Sequence, residues 1–127
     1  MRTIQRALSI DDDPMHTALY QSWLPMELPH VEWNFAFPAP DTEELLSYDL
    51  LLFDYRLGIE NGADLARRVL ARAPEQRVCI LTSYAIDEIA HTIPELDPRC
   101  IIDKSDMERL CRRLKKLINS WELAQLS

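Results

Sequence analysis

Helix-like stretches separate five short hydrophobic runs, which lie at about residues 6–10, 31–36, 49–53, 77–81 and 99–102. Runs of this length with nearly continuous apolar residues are typical of strands buried on both faces. Strands that alternate with helices form β/α units around a parallel sheet. The pattern therefore predicts an α/β fold with five parallel strands and five helices.

Polar residues mark the starts of several helices. Asp13 stands before Pro14, where its side chain can cap a helix whose first turn accommodates proline. Capping-box patterns occur from Asp41 to Glu44 and from Ser105 to Glu108. We therefore expect helices to begin at these three places.

The last two helices are predicted to differ in length. Residues 85–92 have a helical pattern, but Pro94 and Pro98 limit that helix to two or three turns. In the last helix apolar residues recur at spacings of three and four: Met107, Leu110, Cys111, Leu114, Leu117, Ile118 and Trp121. This spacing predicts an amphipathic helix packed on the sheet by its apolar side.

The acidic composition narrows the classes of partner. The 127 residues include 14 basic and 21 acidic side chains, which gives a formal net charge of −7. Nucleic acids and anionic membranes are bound through clustered Lys and Arg, so we expect no direct nucleic-acid binding. No stretch approaches the ~20 apolar residues of a membrane span, and the first residues lack a signal-peptide pattern. We expect one cytoplasmic domain over residues 1–127, with no effector domain and no membrane insertion.

The cysteines and histidines give no independent signal of a site. Three cysteines, at positions 79, 100 and 111, lie in apolar segments without metal-ligand spacing. We therefore expect reduced core cysteines. His16, His30 and His91 share no spacing or motif, so we interpret them as ordinary helix or surface residues.

Carboxylates cluster at the ends of two predicted strands. Asp11 and Asp12 follow the first strand, and Asp54 ends the third. Right-handed crossovers place the carboxyl ends of parallel strands at one sheet edge, which is the usual ligand crevice of an open α/β sheet. Because like charges repel, such a cluster indicates that the carboxylates bind a cation or take part in a reaction. Mg²⁺ prefers oxygen ligands and is the cation we expect.

Two further polar residues reach the same edge. Thr82 follows the fourth strand and Lys104 follows the fifth. A carboxylate can attack phosphorus and form an aspartyl phosphate, while a cation and a lysine offset the charge of the phosphoryl oxygens. The sequence therefore indicates a phosphoryl-transfer site containing Asp54, Lys104 and Thr82.

Four segments of the chain resemble the receiver domains of two-component response regulators. They are Ser9 to Pro14 (SIDDDP), Asp49 to Gly62 (DLLLFDYRLGIENG), Val78 to Ser83 (VCILTS) and Ile101 to Lys104 (IIDK). The resemblance covers nearly the whole chain. It implies a flavodoxin-like three-layer sandwich with strand order 2-1-3-4-5.

The resemblance also implies a role for each site residue. Asp54 is the implied phosphoacceptor, and Asp11 and Asp12 are the acidic pair for Mg²⁺, joined by the backbone carbonyl of Arg56. Lys104 is implied to contact the phosphoryl group, and Thr82 to supply the switch hydroxyl. Asp13 matches the acidic residue before proline, which we assign to helix capping.

Several positions depart from the family's common pattern. Ser105 and Gly58 stand where prolines are common, and Ile101 replaces the aromatic residue that rotates on activation. Arg56 and Tyr84 occupy positions where the family tunes water access to the phosphate. We expect these two large side chains to slow loss of the phosphoryl group.

The resulting interpretation is a receiver that takes a phosphoryl group from a sensor histidine kinase or a histidine phosphotransfer protein. It would catalyse its own phosphorylation and dephosphorylation, and would signal to a downstream protein partner through a changed surface. The last helix could also pair with a second copy. Two alternatives remain: an unphosphorylated interaction module with a vestigial acidic site, and a phosphohydrolase like the haloacid dehalogenases. The latter carry a second Asp where this chain has Arg56.

Overall fold

The computed structural model describes residues 3–58 and 60–125, so Ile59 of the second matching segment lies outside it. The strands in chain order are β1 (Arg6–Ile10), β2 (Glu32–Ala36), β3 (Leu50–Asp54), β4 (Arg56–Leu57), β5 (Glu60–Asn61), β6 (Arg77–Thr82) and β7 (Ile101–Asp103). Five of them form a parallel sheet in the order β2-β1-β3-β6-β7, while β4 and β5 form a small antiparallel pair. Setting that pair aside, the sheet has the predicted 2-1-3-4-5 order.

The described residues contain five α-helices, as predicted, of which four connect strands and the fifth follows β7. They are α1 (Pro14–Glu27), α2 (Thr42–Leu45), α3 (Gly62–Arg72), α4 (Ile86–Thr92) and α5 (Met107–Ala124). Helix α1 contacts α5, and α2 contacts α3. This pairing is that of a three-layer α/β sandwich, in which helices cover both faces of a parallel sheet.

The core is centred on β3, whose five residues are all buried. Leu50 to Phe53 are fully enclosed. Burying each such side chain stabilises the fold by about 1.5–3 kcal/mol relative to leaving it in water. Helix α5 adds Leu110, Cys111, Leu114, Leu117 and Ile118 from its apolar face, as its spacing predicts. Asp54, the last residue of β3, is therefore held on a strand that is buried along its whole length.

Two of the three predicted helix starts are confirmed. Asp13 Oδ1 accepts a hydrogen bond from the backbone N–H of Met15 at 2.9 Å. Asp41 Oδ1 accepts one from the N–H of Glu44 at 2.9 Å. These side chains satisfy N–H groups that have no partner within the helix.

The predicted capping box from Ser105 to Glu108 is wrong. The residue that caps α5 is Asp106, whose Oδ1 accepts from the N–H groups of Glu108 and Arg109 at 3.0 and 3.2 Å. The Ser105 hydroxyl instead donates to Asp103 Oδ1 at 2.6 Å. A carboxylate is the better cap here because it serves two donors and its charge favours the helix N-terminus.

The end of the chain differs from the prediction in one further respect. Pro98–Cys100 forms a single 3₁₀ turn, capped by Asp97, so β7 begins at Ile101 and is shorter than the hydrophobic run.

The three cysteines are buried and free, as expected. Within residues 3–58 and 60–125, no helix has the length and apolar character that crossing a membrane requires.

Candidate functional site

The parallel topology brings three carboxylates together at the carboxyl edge of the sheet. Asp11, Asp12 and Asp54 each place an oxygen within 4.8 Å of the others. Asp11 is only 5% exposed and Asp54 only 4%, whereas Asp12 is exposed. Two of these charges therefore lie in a poorly hydrated environment, where repulsion is strong.

Lys104 supplies the cation that faces these acids. Its backbone N–H donates to the carbonyl of Thr82 at 2.9 Å, which aligns the end of β7 with that of β6. Its Nζ donates to Asp54 Oδ1 at 2.7 Å and lies 3.8 Å from Asp11 Oδ2. The side chain is 8% exposed. The ammonium is thus buried against the proposed phosphoacceptor.

Burial raises the pKa of both enclosed carboxyl groups. For Asp11, desolvation dominates the rise in pKa, the backbone N–H of Asp13 opposes it, and the charge of Asp54 adds to it. For Asp54, desolvation again raises the pKa, and the hydrogen bond from Lys104 is the largest opposing effect. One lysine therefore does not fully offset the desolvation of two acids.

The residues present fit a hard divalent cation. Within the described residues, Asp11 Oδ2 is a buried oxygen without a hydrogen-bond partner. A cation held by Asp11, Asp12 and Asp54 would satisfy this oxygen and relieve the repulsion. Three carboxylates are a donor set that suits Mg²⁺. The backbone carbonyl of Arg56, in β4, stays a predicted fourth contributor.

A cavity of about 170 Å³ opens beside Asp54. Its walls are formed by His16, Asp54, Tyr55, Arg56, Thr82, Ser83, Tyr84 and Lys104. Since one water occupies ~30 Å³ in the liquid, the space is large enough for a phosphoryl group. The cavity therefore joins the predicted phosphoacceptor, lysine and threonine in one chamber.

Thr82 is buried in the wall of this cavity, 1% exposed. Its Oγ1 accepts a hydrogen bond from the backbone N–H of Tyr84 at 2.9 Å. Because Oγ1 is the acceptor in this contact, the hydroxyl hydrogen stays available to donate to another group. Thr82 is thus placed where a phosphoryl oxygen could receive that hydrogen bond.

Three large side chains in the wall of this cavity contact one another, and we call Tyr55, Arg56 and Tyr84 the aromatic cover. The Arg56 guanidinium lies 4.9 Å from the centre of the Tyr84 ring. The rings of Tyr55 and Tyr84 meet edge to face at 6.2 Å. Both contacts are favourable cation–π or aromatic geometries. The three side chains thus form one connected part of the cavity wall beside Asp54.

The loop after Asp54 depends on two glycines. Gly58 has φ +77°, a conformation that proline cannot adopt. Gly62 approaches so closely that a Cβ there would overlap the backbone oxygen of Asp54. The backbone N–H of Gly62 donates to the carbonyl of Tyr55 at 2.8 Å, which closes the loop against the site.

The positions that depart from the family pattern have definite environments. Ile101 is 3% exposed and belongs to the core. Asp103 Oδ1 also accepts from the Ser105 backbone N–H at 2.8 Å, so this carboxylate is engaged away from Lys104. Across the described residues the cis peptide is Phe37–Pro38, so the Lys104–Ser105 bond is trans.

His16 lies in the site although its sequence context did not mark it. Its Nδ1 is 3.3 Å from Lys104 Nζ and 3.2 Å from Asp13 Oδ2. One signal was available, since a residue three positions after the capping Asp13 shares its side of the first turn. That spacing alone does not tell which residues of other strands meet the ring.

Comparison with known proteins identifies the fold. No protein-family model matches the chain, and a search of curated proteins also gave no match. Among solved structures, the signal receiver domain of a DNA-binding response regulator from Colwellia psychrerythraea 34H is 19% identical, with a TM-score of 0.75 over 91% of this chain and 98% of that one. A CheY-like response regulator receiver domain protein from Methanospirillum hungatei JF-1 is 20% identical, with a TM-score of 0.70 over 95% and 98%.

A third similar structure is the complex of the histidine kinase ThkA with the response regulator TrrA. The matched chain is 24% identical, with a TM-score of 0.64 over 89% of this chain and 97% of that one. These matches extend over most of the described strands and helices. The chain therefore has the fold of a response regulator receiver domain.

Proposed function

We propose that this chain is a receiver that accepts a phosphoryl group on Asp54 from a phosphohistidine partner, with Mg²⁺ bound by Asp11, Asp12 and Asp54. The observation that carries the proposal is the 2.7 Å contact between Lys104 Nζ and Asp54 Oδ1 beside an orphaned acidic oxygen. A merely structural ion pair would not need the additional carboxylates and the open cavity. Phosphoryl transfer uses all of them.

The reaction is a substitution at phosphorus. The carboxylate oxygen of Asp54 forms the new O–P bond as the N–P bond of the donor phosphohistidine breaks, and the electron pair of that bond returns to the imidazole. Mg²⁺, when bound, would offset charge on the phosphoryl oxygens. Lys104 and Thr82 supply the protein's own contacts to those oxygens. Both already line the cavity.

Phosphorylation would be transmitted through Thr82 and Lys104 to the face formed by α4, β7 and α5. The Lys104 N–H to Thr82 carbonyl bond joins the ends of β6 and β7. A groove of about 240 Å³ on this face is lined in part by Ile86, Ile101 and Arg109. With Ile101 in the core, the coupling would proceed by backbone and packing shifts rather than by rotation of an aromatic ring.

The proposed donor is a histidine kinase or a histidine phosphotransfer protein. TrrA was crystallised in complex with a histidine kinase, and this chain shares that fold. The acidic edge is open to such a donor because Asp12 is exposed and the cavity reaches the surface beside Tyr84, which is 45% exposed. We further propose that the chain acts as one domain that signals to a protein partner.

Incubation with acetyl phosphate, with and without Mg²⁺, tests the proposal by intact mass and peptide mapping. One phosphoryl adduct on Asp54 is expected with Mg²⁺, and none in Asp54→Asn. Asp49→Asn is a matched control, since Asp49 lies at the opposite edge and binds the backbone N–H groups of Gln5 and Arg6. No adduct with acetyl phosphate or phosphoramidate would contradict the proposal.

A second candidate function is an interaction module that is never phosphorylated. Ile101 supports it, because a buried aliphatic residue replaces the aromatic that rotates in the family. If this function is correct, no donor should give a phosphoryl adduct, and binding of the partner should not change when Mg²⁺ is added. A phosphohydrolase predicts instead repeated turnover of the donor. Those enzymes carry a second Asp two residues after the nucleophile. This chain has Arg56 there, and its guanidinium lies over the Tyr84 ring.

A further inference from the structure

His16 brings an imidazole to a position where the buried ammonium of Lys104 needs an acceptor. Nδ1 lies 3.3 Å from Lys104 Nζ, 3.2 Å from Asp13 Oδ2 and 3.9 Å from Asp11 Oδ2. The ring also forms part of the cavity wall beside Asp54. The imidazole is therefore within reach of the atoms that the proposed function uses.

A single nitrogen cannot accept from Lys104 and donate to Asp13 at the same time. Differences in burial favour Lys104 as the partner. Its side chain is 8% exposed, whereas that of Asp13 is 45% exposed and can be hydrated by solvent. An ammonium has three hydrogens to place. Asp54 Oδ1 takes one at 2.7 Å, while Asp11 Oδ2 at 3.8 Å is beyond hydrogen-bond distance. His16 Nδ1 is the second acceptor within reach.

Tyr20 stacks on the ring that makes this contact. Its ring stacks on that of His16 with centroids 6.3 Å apart and an interplanar angle of 19°. The two residues are four positions apart on α1, a spacing that places side chains one above the other. Tyr20 is 1% exposed and belongs to the core. The imidazole thus lies nearly parallel to a buried aromatic ring.

We propose that His16 is a positioning residue for phosphoryl transfer: its Nδ1 accepts a hydrogen bond from Lys104 and holds the ammonium over Asp54. The consequence for the reaction rests on the proposed function. Without this acceptor the ammonium would be free to turn toward Asp11 Oδ2, the buried oxygen without a hydrogen-bond partner. His16 would therefore keep the lysine on the phosphoryl side and leave Asp11 to the metal.

Two substitutions separate hydrogen bonding from packing. His16→Asn places an amide oxygen near the position of Nδ1, whereas His16→Leu keeps bulk but removes the acceptor. The side chain of His16 is 32% exposed, so both proteins are expected to fold. His30→Asn and His30→Leu are matched controls, because His30 is exposed at the opposite edge of the sheet, just before β2.

The lysine can be observed directly, without phosphorylation. The chain has three lysines, at positions 104, 115 and 116. Lys115 and Lys116 are exposed, so their ammonium protons exchange rapidly with water. In protein labelled with ¹⁵N-lysine, one slowly exchanging Nζ correlation is expected, which Lys104→Met should abolish. His16→Leu should remove or broaden this signal, while His16→Asn and both His30 variants should retain it.

The rate of phosphorylation by acetyl phosphate with Mg²⁺ gives the second readout. Loss of a hydrogen bond to a charged group predicts a fall of about tenfold in His16→Leu. His16→Asn should restore most of the rate. A protected Lys104 signal in His16→Leu, or a rate equal to wild type, would overturn the positioning role. If the wild-type protein takes up no phosphoryl group, the proposed function fails while the Nζ signal still decides whether His16 holds Lys104.

Discussion

Lys104 Nζ and Asp54 Oδ1 form a 2.7 Å charge-assisted hydrogen bond between residues 50 positions apart in the chain. Both side chains are nearly buried, at 8% and 5% exposure. The ammonium therefore offsets the carboxylate before any donor arrives. It also lines the cavity in which the phosphoryl oxygens would bind under the proposed function. The same pair thus serves the stability of the resting protein and, under the proposed function, the reaction.

Replacing Lys104 with Met should separate these two roles. Leaving Asp54 buried without its partner should destabilise the protein by about 1–3 kcal/mol, measured by urea unfolding. Phosphorylation by acetyl phosphate should fall by about 100-fold, because the charge on the phosphoryl oxygens loses its protein cation.

A double-mutant cycle with Asp54→Asn checks that prediction. Once the carboxylate is neutral, Lys104→Met should cost less stability than it does in the wild type. Additive losses in the double mutant would contradict a direct energetic coupling between the two side chains.

Neutralising Asp11 should stabilise the metal-free protein at neutral pH. Burial raises the pKa of Asp11 above its unfolded value, so the folded protein holds the proton to higher pH than the unfolded chain does. Between these two pKa values stability falls as pH rises, and the full penalty is present above them. In EDTA at pH 7, Asp11→Asn should raise Tm by a few degrees. In a domain of this length such a shift corresponds to about 1 kcal/mol of unfolding free energy.

This advantage should shrink as the pH falls toward the ordinary carboxyl range, where the wild-type group is also neutral. Added Mg²⁺ should stabilise the wild-type protein and have much less effect on Asp11→Asn. For the measurement in EDTA, Asp12→Asn is the matched control, since Asp12 is exposed and its replacement relieves less desolvation. A lower Tm for Asp11→Asn in EDTA at pH 7 would refute the prediction.

Opening the aromatic cover should shorten the lifetime of the phosphoprotein. Arg56→Asn removes the guanidinium that lies on the Tyr84 ring, and Tyr84→Glu removes the ring that meets Tyr55. Each change gives water readier access to the phosphoryl group. We expect decay to be about 10-fold faster, which corresponds to an activation barrier lower by about 1.4 kcal/mol. Decay of ³²P label after donor removal measures it.

Arg112→Asn is the control for loss of an arginine, since Arg112 pairs with Glu108 on the exposed side of α5. Its phosphoprotein should decay at the wild-type rate. Equal lifetimes for Arg56→Asn, Tyr84→Glu and the wild type would show that the cover does not restrict water.

The cap of α5 predicts an asymmetry between two adjacent residues. Asp106→Ala removes the acceptor of two backbone N–H groups and should cost about 1 kcal/mol of unfolding free energy. Ser105→Ala removes an exposed bond to Asp103 and should change stability by less than about 0.5 kcal/mol. Urea titration of both variants decides. A larger loss for Ser105→Ala would restore the capping box that the sequence suggested.

Gly62→Ala should disturb the phosphoacceptor from outside the cavity. Its Cβ would overlap the backbone oxygen of Asp54, and such overpacking costs about 1–3 kcal/mol. The backbone of β3 would have to shift, so both stability and acceptance of phosphate should fall. Gly58→Ala meets no atom within 4 Å and is strained only by its positive φ. It should lose about 1 kcal/mol of stability while keeping the rate.

Much of the fold was predictable because its signals are local. The run of apolar residues that forms β3 and the three- and four-residue spacing in α5 both lie within single elements. The convergence of Asp11 and Asp54 also followed from sequence, since parallel strands always end at the same sheet edge. The capping box at Ser105 failed because the Ser105 hydroxyl donates to Asp103, while Asp106 accepts from the first N–H groups of α5, and motif spacing does not rank these alternatives.

The sequence by itself determined the β/α units, the acidic strand ends and the residues that resemble a phosphoacceptor site. Only the tertiary structure decided that Lys104 bonds Asp54, that Arg56 stacks on Tyr84 and that His16 joins the site. These contacts depend on strand register and on how α1 lies against the sheet edge. Such distances arise from packing of the whole core, to which residues far apart in sequence contribute together.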